Sequence, residues 1–215
     1  MKKATKQDIE IIKQAFIENY SDAVTELNYT NDYELLIAII LSAQCTDKRV
    51  NIITPALFAK YPSVKELAVA DLEDVKALLN TCSFFNNKSK NIIKMAQSVL
   101  MDYDGEIPHD QKKLMKLAGV GNKTANVFMI EFEQANLMAV DTHVFRVSHR
   151  LGLSDGKTVD ITEADLVKKL KGHDLHIFHQ AMVLFGRYIC KAVKPECDKC
   201  YFPQVCKSKS GFKPA

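Results

Sequence analysis

The residues best suited to chemistry lie in the second half of the chain. Four cysteines follow the pattern Cys190-x6-Cys197-x2-Cys200-x5-Cys206. Four thiolates this close together can surround one tetrahedral metal ion or one iron–sulfur cluster. The bland alternative, four unrelated buried thiols, fits poorly with such clustering and with a Cys-x2-Cys step, which is a ligand spacing. The pattern is neither the paired Cys-x2-Cys of a zinc ribbon nor the compact ferredoxin run, so spacing leaves zinc and iron–sulfur both open. Cys45 and Cys82 stand apart and read as packing residues. Between the first two ligands lie Lys191 and Lys194. From Cys190 to the end of the chain there are six lysines (191, 194, 199, 207, 209 and 213) against Glu196 and Asp198. That local excess exceeds the net charge of the whole chain, +3, so this end is a candidate basic surface, or equally a solvated tail.

A second constellation runs from Lys112 to Phe132, KKLMKLAGVGNKTANVFMIEF. A short helix should end near Leu117, and another should start near Asn122, with Gly119 and Gly121 bracketing Val120 at the corner. Two glycines permit a tight turn and a close backbone approach to a partner. The free amides opening the second helix can hold an anion such as a DNA phosphate, a contact that fixes register without reading sequence. A lone Gly-x-Gly is weak evidence and is also compatible with a plain packing corner. Lys123 falls in the first turn of the second helix. The helix dipole disfavours a cation there, and partial burial would add to this, favouring the neutral amine that acts as a nucleophile. Taken alone, a lysine at such a position is a solvated surface residue. Further on, Val140-Asp141-Thr142-His143 opens another helix. Asp141 suits its N-cap, and a capping carboxylate can also face a site. His173, His176 and His179 suggest metal binding, but four cysteines already complete a ligand set, so these read as packing or surface residues.

The elements that must carry these groups are helical almost throughout. Ile9, Ile12, Phe16 and Tyr20 form one stripe. Asn31 and Asp32 can cap a helix burying Leu35, Leu36, Ile39 and Ile40, and Thr46 and Asp47 can cap the next. Pro55 interrupts that pattern and predicts a break or kink. Further helices are expected at about 64–69, 71–80, 87–102, 110–117, 122–133, 142–151, 162–171 and 174–190, with no sustained strand alternation. The fold class is therefore all-α. The 215 residues suffice for one large or two small cores, and 47% apolar with 26% charged residues is an ordinary globular composition. Leu35 to Leu41 is the longest strongly apolar run and is too short to span a bilayer. The start, Met-Lys-Lys-Ala-Thr-Lys, is not an apolar signal segment. These features lead us to expect a cytoplasmic protein with no membrane partner, in a compartment where six cysteines do not form a disulfide framework. The tail from Lys207 onward is polar and expected to fray.

Taken together, these residues resemble the endonuclease III family of bacterial thymine glycol glycosylases and abasic-site lyases. The likeness rests on Thr25-Glu-Leu-Asn28, Glu34-Leu-Leu-Ile-Ala38, Leu41-Ser-Ala-Gln44 with Thr46-Asp47, Gly119-Val-Gly-Asn-Lys-Thr-Ala-Asn126, Val140-Asp-Thr-His143 with Phe145-Arg-Val147, Gly186-Arg-Tyr188 and the cysteine loop. The resemblance implies two helical domains. A six-helix barrel with a helix-hairpin-helix would span about 25–135, and residues 1–24 and 136–215 would form a domain holding a 4Fe–4S cluster. The partner would be double-stranded DNA with a damaged pyrimidine or an abasic site, and the protein would be a nucleoid-associated monomer. By motif, Lys123 would be the Schiff-base nucleophile and Asp141 the catalytic carboxylate. Gln44 would fill the gap left by the flipped nucleotide, and Ser83, Phe84, Phe85 and Asn86 would wedge the opposite strand. Gly119, Val120 and Gly121 would contact the backbone, as would Lys191 and Lys194. The chain departs from the family at Ala118, where proline is usual, and at Ser83–Asn86, where Gly-Leu-Tyr-Asn is usual. The alternatives are an adenine or alkyl-base glycosylase, whose members usually lack the lysine, and a non-catalytic DNA-binding iron–sulfur module, which has no use for Lys123 and Asp141.

Overall fold

A computed structural model describes residues 3–208, so Lys209, Lys213 and most of the tail expected to fray lie outside the described residues. The described residues contain eleven α-helices, one short 3-10 turn and no strand, which makes the fold all-α. The chain divides into two compact units. One is Glu26–Gln134, and the other joins Met1–Thr25 to Ala135–Ala215.

The first of these is built around α2 (Asp32–Ser42). Asn31 caps it by accepting the Glu34 amide at 2.9 Å, and every residue from Leu35 to Leu41 is buried. A helix apolar on all sides must be enclosed on all sides. The enclosure comes from α3 (Asp47–Lys60), α6 (Phe85–Asp102) and α8 (Asn122–Glu133), while α4 (Val64–Ala68) and α5 (Leu72–Leu79) pack on α6. The break expected at Pro55 does not occur: α3 runs through it. Its missing N–H costs one backbone bond, but Val50, Ile53, Thr54 and Leu57 on both sides of the proline are buried in the core and hold the helix in place. The expected helix over 110–117 is shorter, α7 (Gln111–Leu114). Beyond it the Lys116 and Leu117 amides bond three residues back, and the helix tightens into the turn that leads to the hairpin.

In the second unit α1 (Lys6–Tyr20) and α9 (Thr142–Arg150) both pack on α11 (Leu175–Tyr188), and α10 (Val159–Lys169) packs on α9. A capping box between Thr5 and Asp8 starts α1. Helix α10 begins three residues before the expected position, because Thr158 caps it and its exposed Val159 and Ile161 give no periodic signal. Phe16, Phe178, Phe185 and Phe202 form an aromatic centre in which Phe202 meets Phe16 at 4.9 Å and Phe185 at 5.1 Å, edge to face. Phe202 belongs to the cysteine loop, so that loop is anchored directly in this core. No helix among the described residues is long and apolar enough to cross a membrane.

Candidate active site and nucleic-acid interface

The hairpin corner is built by its two glycines in different ways. Gly119 has φ +82°, a left-handed conformation that strains side-chain-bearing residues. A Cβ there would also sit 3.1 Å from Asn91 Cβ. Gly121 is the N-cap of α8 with ordinary extended backbone, and a Cβ there would meet nothing within 4 Å. No side chain caps α8, so the amides of its first turn stay open for an outside acceptor. Val120 turns inward. Its side chain is buried in the core and its N–H is donated to Leu117 O at 3.1 Å, so the outward-facing amides are those that follow it. Lys123 sits in the first turn of α8 and is exposed. The partial burial expected from the sequence is absent, because the buried stripe of α8 is formed by Ala125, Asn126, Phe128 and Ile130. Gln111 Nε2 donates to Asn122 Oδ1 at 3.1 Å and to the buried Asn126 Oδ1, tying α7 to the start of α8.

In the same unit two exposed side chains stand on strained backbone. Gln44 has φ 54° and Phe84 φ 58°, values uncommon for anything but glycine, asparagine or aspartate. Phe84 is 62% exposed. Of the four residues expected to act as a wedge, Ser83 and Phe84 form the turn, while Phe85 and Asn86 already belong to α6, with Phe85 packed against the core.

The other unit carries Asp141 as the N-cap of α9. Its Oδ1 accepts the amides of His143 at 2.8 Å and Val144 at 2.7 Å. One oxygen thus makes both capping bonds, and Oδ2 has no partner among the described residues. Burial pushes His143 below the usual imidazole range; Asp141 opposes this and Arg146 and Arg187 reinforce it. A neutral His143 suits the 3.2 Å contact between its Nδ1 and Arg146 Nη2. His179 is buried with Nδ1 2.9 Å from Ala139 O, and His173 packs edge to face on Phe178.

Helix α9 also grips the cysteine loop through two arginines not singled out in the sequence. Arg146 Nε donates to Cys190 O at 2.9 Å. Arg150 Nη1 donates to Lys191 O at 2.6 Å and lies 3.3 Å from Cys190 Sγ. Their i, i+4 spacing on the helix that Asp141 caps was the available signal. The Phe202 amide points at Cys200 Sγ at 3.4 Å. None of the six cysteines is disulfide-bonded. Burial pushes the Cys200 thiol up, and Cys190, Cys206 and Cys197 are close enough to add to the effect. Yet no three His, Cys, Asp or Glu among the described residues are arranged to hold a single metal ion. Lys191 and Lys199 both pair with Glu196, and Lys207 pairs with Asp8 at 2.7 Å. Lys194 has φ 50° and no ion pair among the described residues.

The sequence matches the HhH-GPD superfamily of base excision DNA repair proteins over residues 37–171. It is 42% identical to endonuclease III of Rickettsia conorii, over 93% of this chain and 95% of that protein. The chain belongs to the endonuclease III family. Among solved structures it is similar to a trapped endonuclease III–DNA covalent intermediate, an estranged-adenine complex, with TM-score 0.92 and 39% identity over 96% of this chain and 98% of that one. A non-covalent endonuclease III–DNA complex matches with TM-score 0.90 and 40% identity, over 96% and 97% of the two chains. As a member of the endonuclease III family, the protein is a base excision repair enzyme, a DNA glycosylase and abasic-site lyase.

Proposed function

We propose that this enzyme removes oxidised pyrimidines from double-stranded DNA and then cuts the strand 3′ to the abasic site by β-elimination, with Lys123 as the nucleophile. The observation that carries this reading is an amine in the first turn of an uncapped helix, directly after a glycine corner with room for a DNA backbone. A damaged base becomes reachable only when its nucleotide leaves the stack, at a cost of roughly a few kcal/mol that is least for damaged bases. Lys123 is exposed, so its amine is open to the sugar of an extruded nucleotide. The amine attacks the sugar C1′ as the base departs. The nitrogen passes a proton to O4′ as the C1′–O4′ bond breaks, and the sugar ring opens to an iminium; removal of a C2′ proton then expels the 3′ phosphate from C3′, and hydrolysis frees the enzyme. In this reading the uncommitted Oδ2 of Asp141 stabilises the cationic sugar while Oδ1 keeps the helix capped. Gln44 and Phe84 occupy the space of the extruded nucleotide and press on the opposite strand. Lys194, and more weakly the paired Lys191, meet phosphates.

The four cysteines fit a 4Fe–4S cluster better than a single ion. Their thiols interact with one another although they do not converge on one ion site, and the Arg150 and Phe202 N–H groups point at sulfur. Cys190, Cys197, Cys200 and Cys206 would hold it. When bound, the cluster supplies a rigid anchor for the basic loop. Purified protein should be brown, with about four irons per chain; a colourless protein with one zinc would overturn this assignment.

Borohydride tests the nucleophile. Reduction of the imine should give a stable protein–DNA complex with wild-type protein. Lys123→Gln should give none while still binding abasic duplex. Full trapping by the variant would assign the chemistry to another amine.

A further inference from the structure

Lys88, in the first turn of α6, is only 6% exposed and has no carboxylate partner among the described residues. Its Nζ donates to Leu41 O at 2.8 Å and Ala43 O at 2.7 Å, and lies 3.4 Å from Cys82 Sγ. Cys82 Sγ itself points to Leu41 O at 3.6 Å. Leu41 and Ala43 are the C-terminal end of α2, where carbonyls lack helical partners and carry negative partial charge. A buried ammonium is costly, and these carbonyls make it tolerable. They also place it at a junction. Ala43 immediately precedes Gln44, and Cys82 precedes the Ser83–Phe84 turn. Both turns hold an exposed side chain on left-handed backbone, and both are bonded to the same ammonium. Strain of that kind persists only where the surroundings over-determine it.

We infer that Lys88 is a positioning residue, which fixes the Gln44 turn and the Phe84 turn relative to each other so that both side chains enter the duplex as one unit. The inference rests on the glycosylase reading above, in which these two side chains replace the flipped nucleotide. Opening a duplex needs both turns in register, whereas reaction with an abasic site in single-stranded DNA needs only Lys123 and the hairpin. Lys88→Met removes the donors and keeps most of the apolar stem. In single-turnover assays it should slow excision of a damaged base from duplex by about 10- to 100-fold, the cost of a misplacement on the ångström scale, and change borohydride trapping on single-stranded abasic DNA by no more than about twofold. A residue that merely supports the fold would lower both rates together. The loss should also shrink in a Gln44→Ala background, because the two residues act through one contact. Equal losses on both substrates, or additive losses in the double variant, would overturn the inference. If Lys88→Met fails to fold, Lys88→Gln serves for the same comparison. Hydrogen exchange on wild-type protein gives a readout that depends on neither variant. Residues 41–45 and 82–88 should gain protection together on binding abasic duplex, and protection of one segment alone would overturn the inference. Wild-type protein that traps neither DNA would refute the lyase reading, and exchange would then decide the role of Lys88 by itself.

Discussion

Asp141 is assigned two roles on separate atoms, a helix cap and a proposed catalytic charge. Its Oδ1 accepts both amides of the α9 cap, leaving Oδ2 uncommitted. Asparagine caps a helix about as well as aspartate, so Asp141→Asn keeps the cap and deletes the charge. The variant should melt close to wild type and bind abasic DNA. It should excise damaged bases at least about 100-fold more slowly, the scale of losing one electrostatic contact in a transition state. Lyase activity on a preformed abasic site should suffer less, since no glycosidic bond is broken. Single-turnover rates on both substrates beside a melting curve measure this; near wild-type excision would leave Asp141 as a cap alone. Lys123 presents the opposite case. Among the described residues nothing buries or bonds its side chain, which leaves the amine open to an incoming sugar.

At the scale of elements, the hairpin separates two reasons for a glycine. Gly119 is required by its own backbone, with φ +82° and Asn91 Cβ 3.1 Å from a Cβ that is not there. Gly119→Ala should therefore destabilise the free protein by more than about 1 kcal/mol. Gly121 meets no such demand: its φ is ordinary and the space beside it is open. Gly121→Ala should cost less than about 1 kcal/mol of stability, as a changed N-cap without a side-chain bond, yet weaken DNA binding if, as proposed, the hairpin amides hold a phosphate. Melting curves and duplex titrations of the two variants should give opposite patterns. If Gly121→Ala binds like wild type, the hairpin does not contact the backbone at that point.

For the whole molecule, charge count and charge availability differ. The basic C-terminal stretch looks in sequence like a run of free lysines. In the structure Glu196 holds both Lys191 and Lys199, and Asp8 holds Lys207. Lys194, exposed and without an ion pair among the described residues, is the better candidate for a phosphate contact. Lys194→Ala should weaken binding on all sequences alike and lower the log–log salt slope by about one, and Lys191→Ala should lower it by less, since Lys191 must first exchange a carboxylate for a phosphate. Equal slopes for all three proteins would remove this loop from the interface.

The sequence by itself determined the all-α class, most helix positions, the glycine corner, the place of Lys123 in the first turn of α8 and Asp141 as the cap of α9, because each depends on local periodicity, capping chemistry or a fixed spacing along the chain. Where local rules met packing, packing won. Pro55 stayed inside α3 because the residues around it are buried on both sides, and α10 began early because its cap outweighed an exposed first turn. Only tertiary structure decided which side chains on these elements were free to act. It turned Val120 inward, packed Phe85 while leaving Phe84 out, spent Lys191 on Glu196, and buried Lys88 between two turns that lie about forty residues apart in sequence. Such pairings follow from how elements meet in space, and residue type and spacing do not encode them locally.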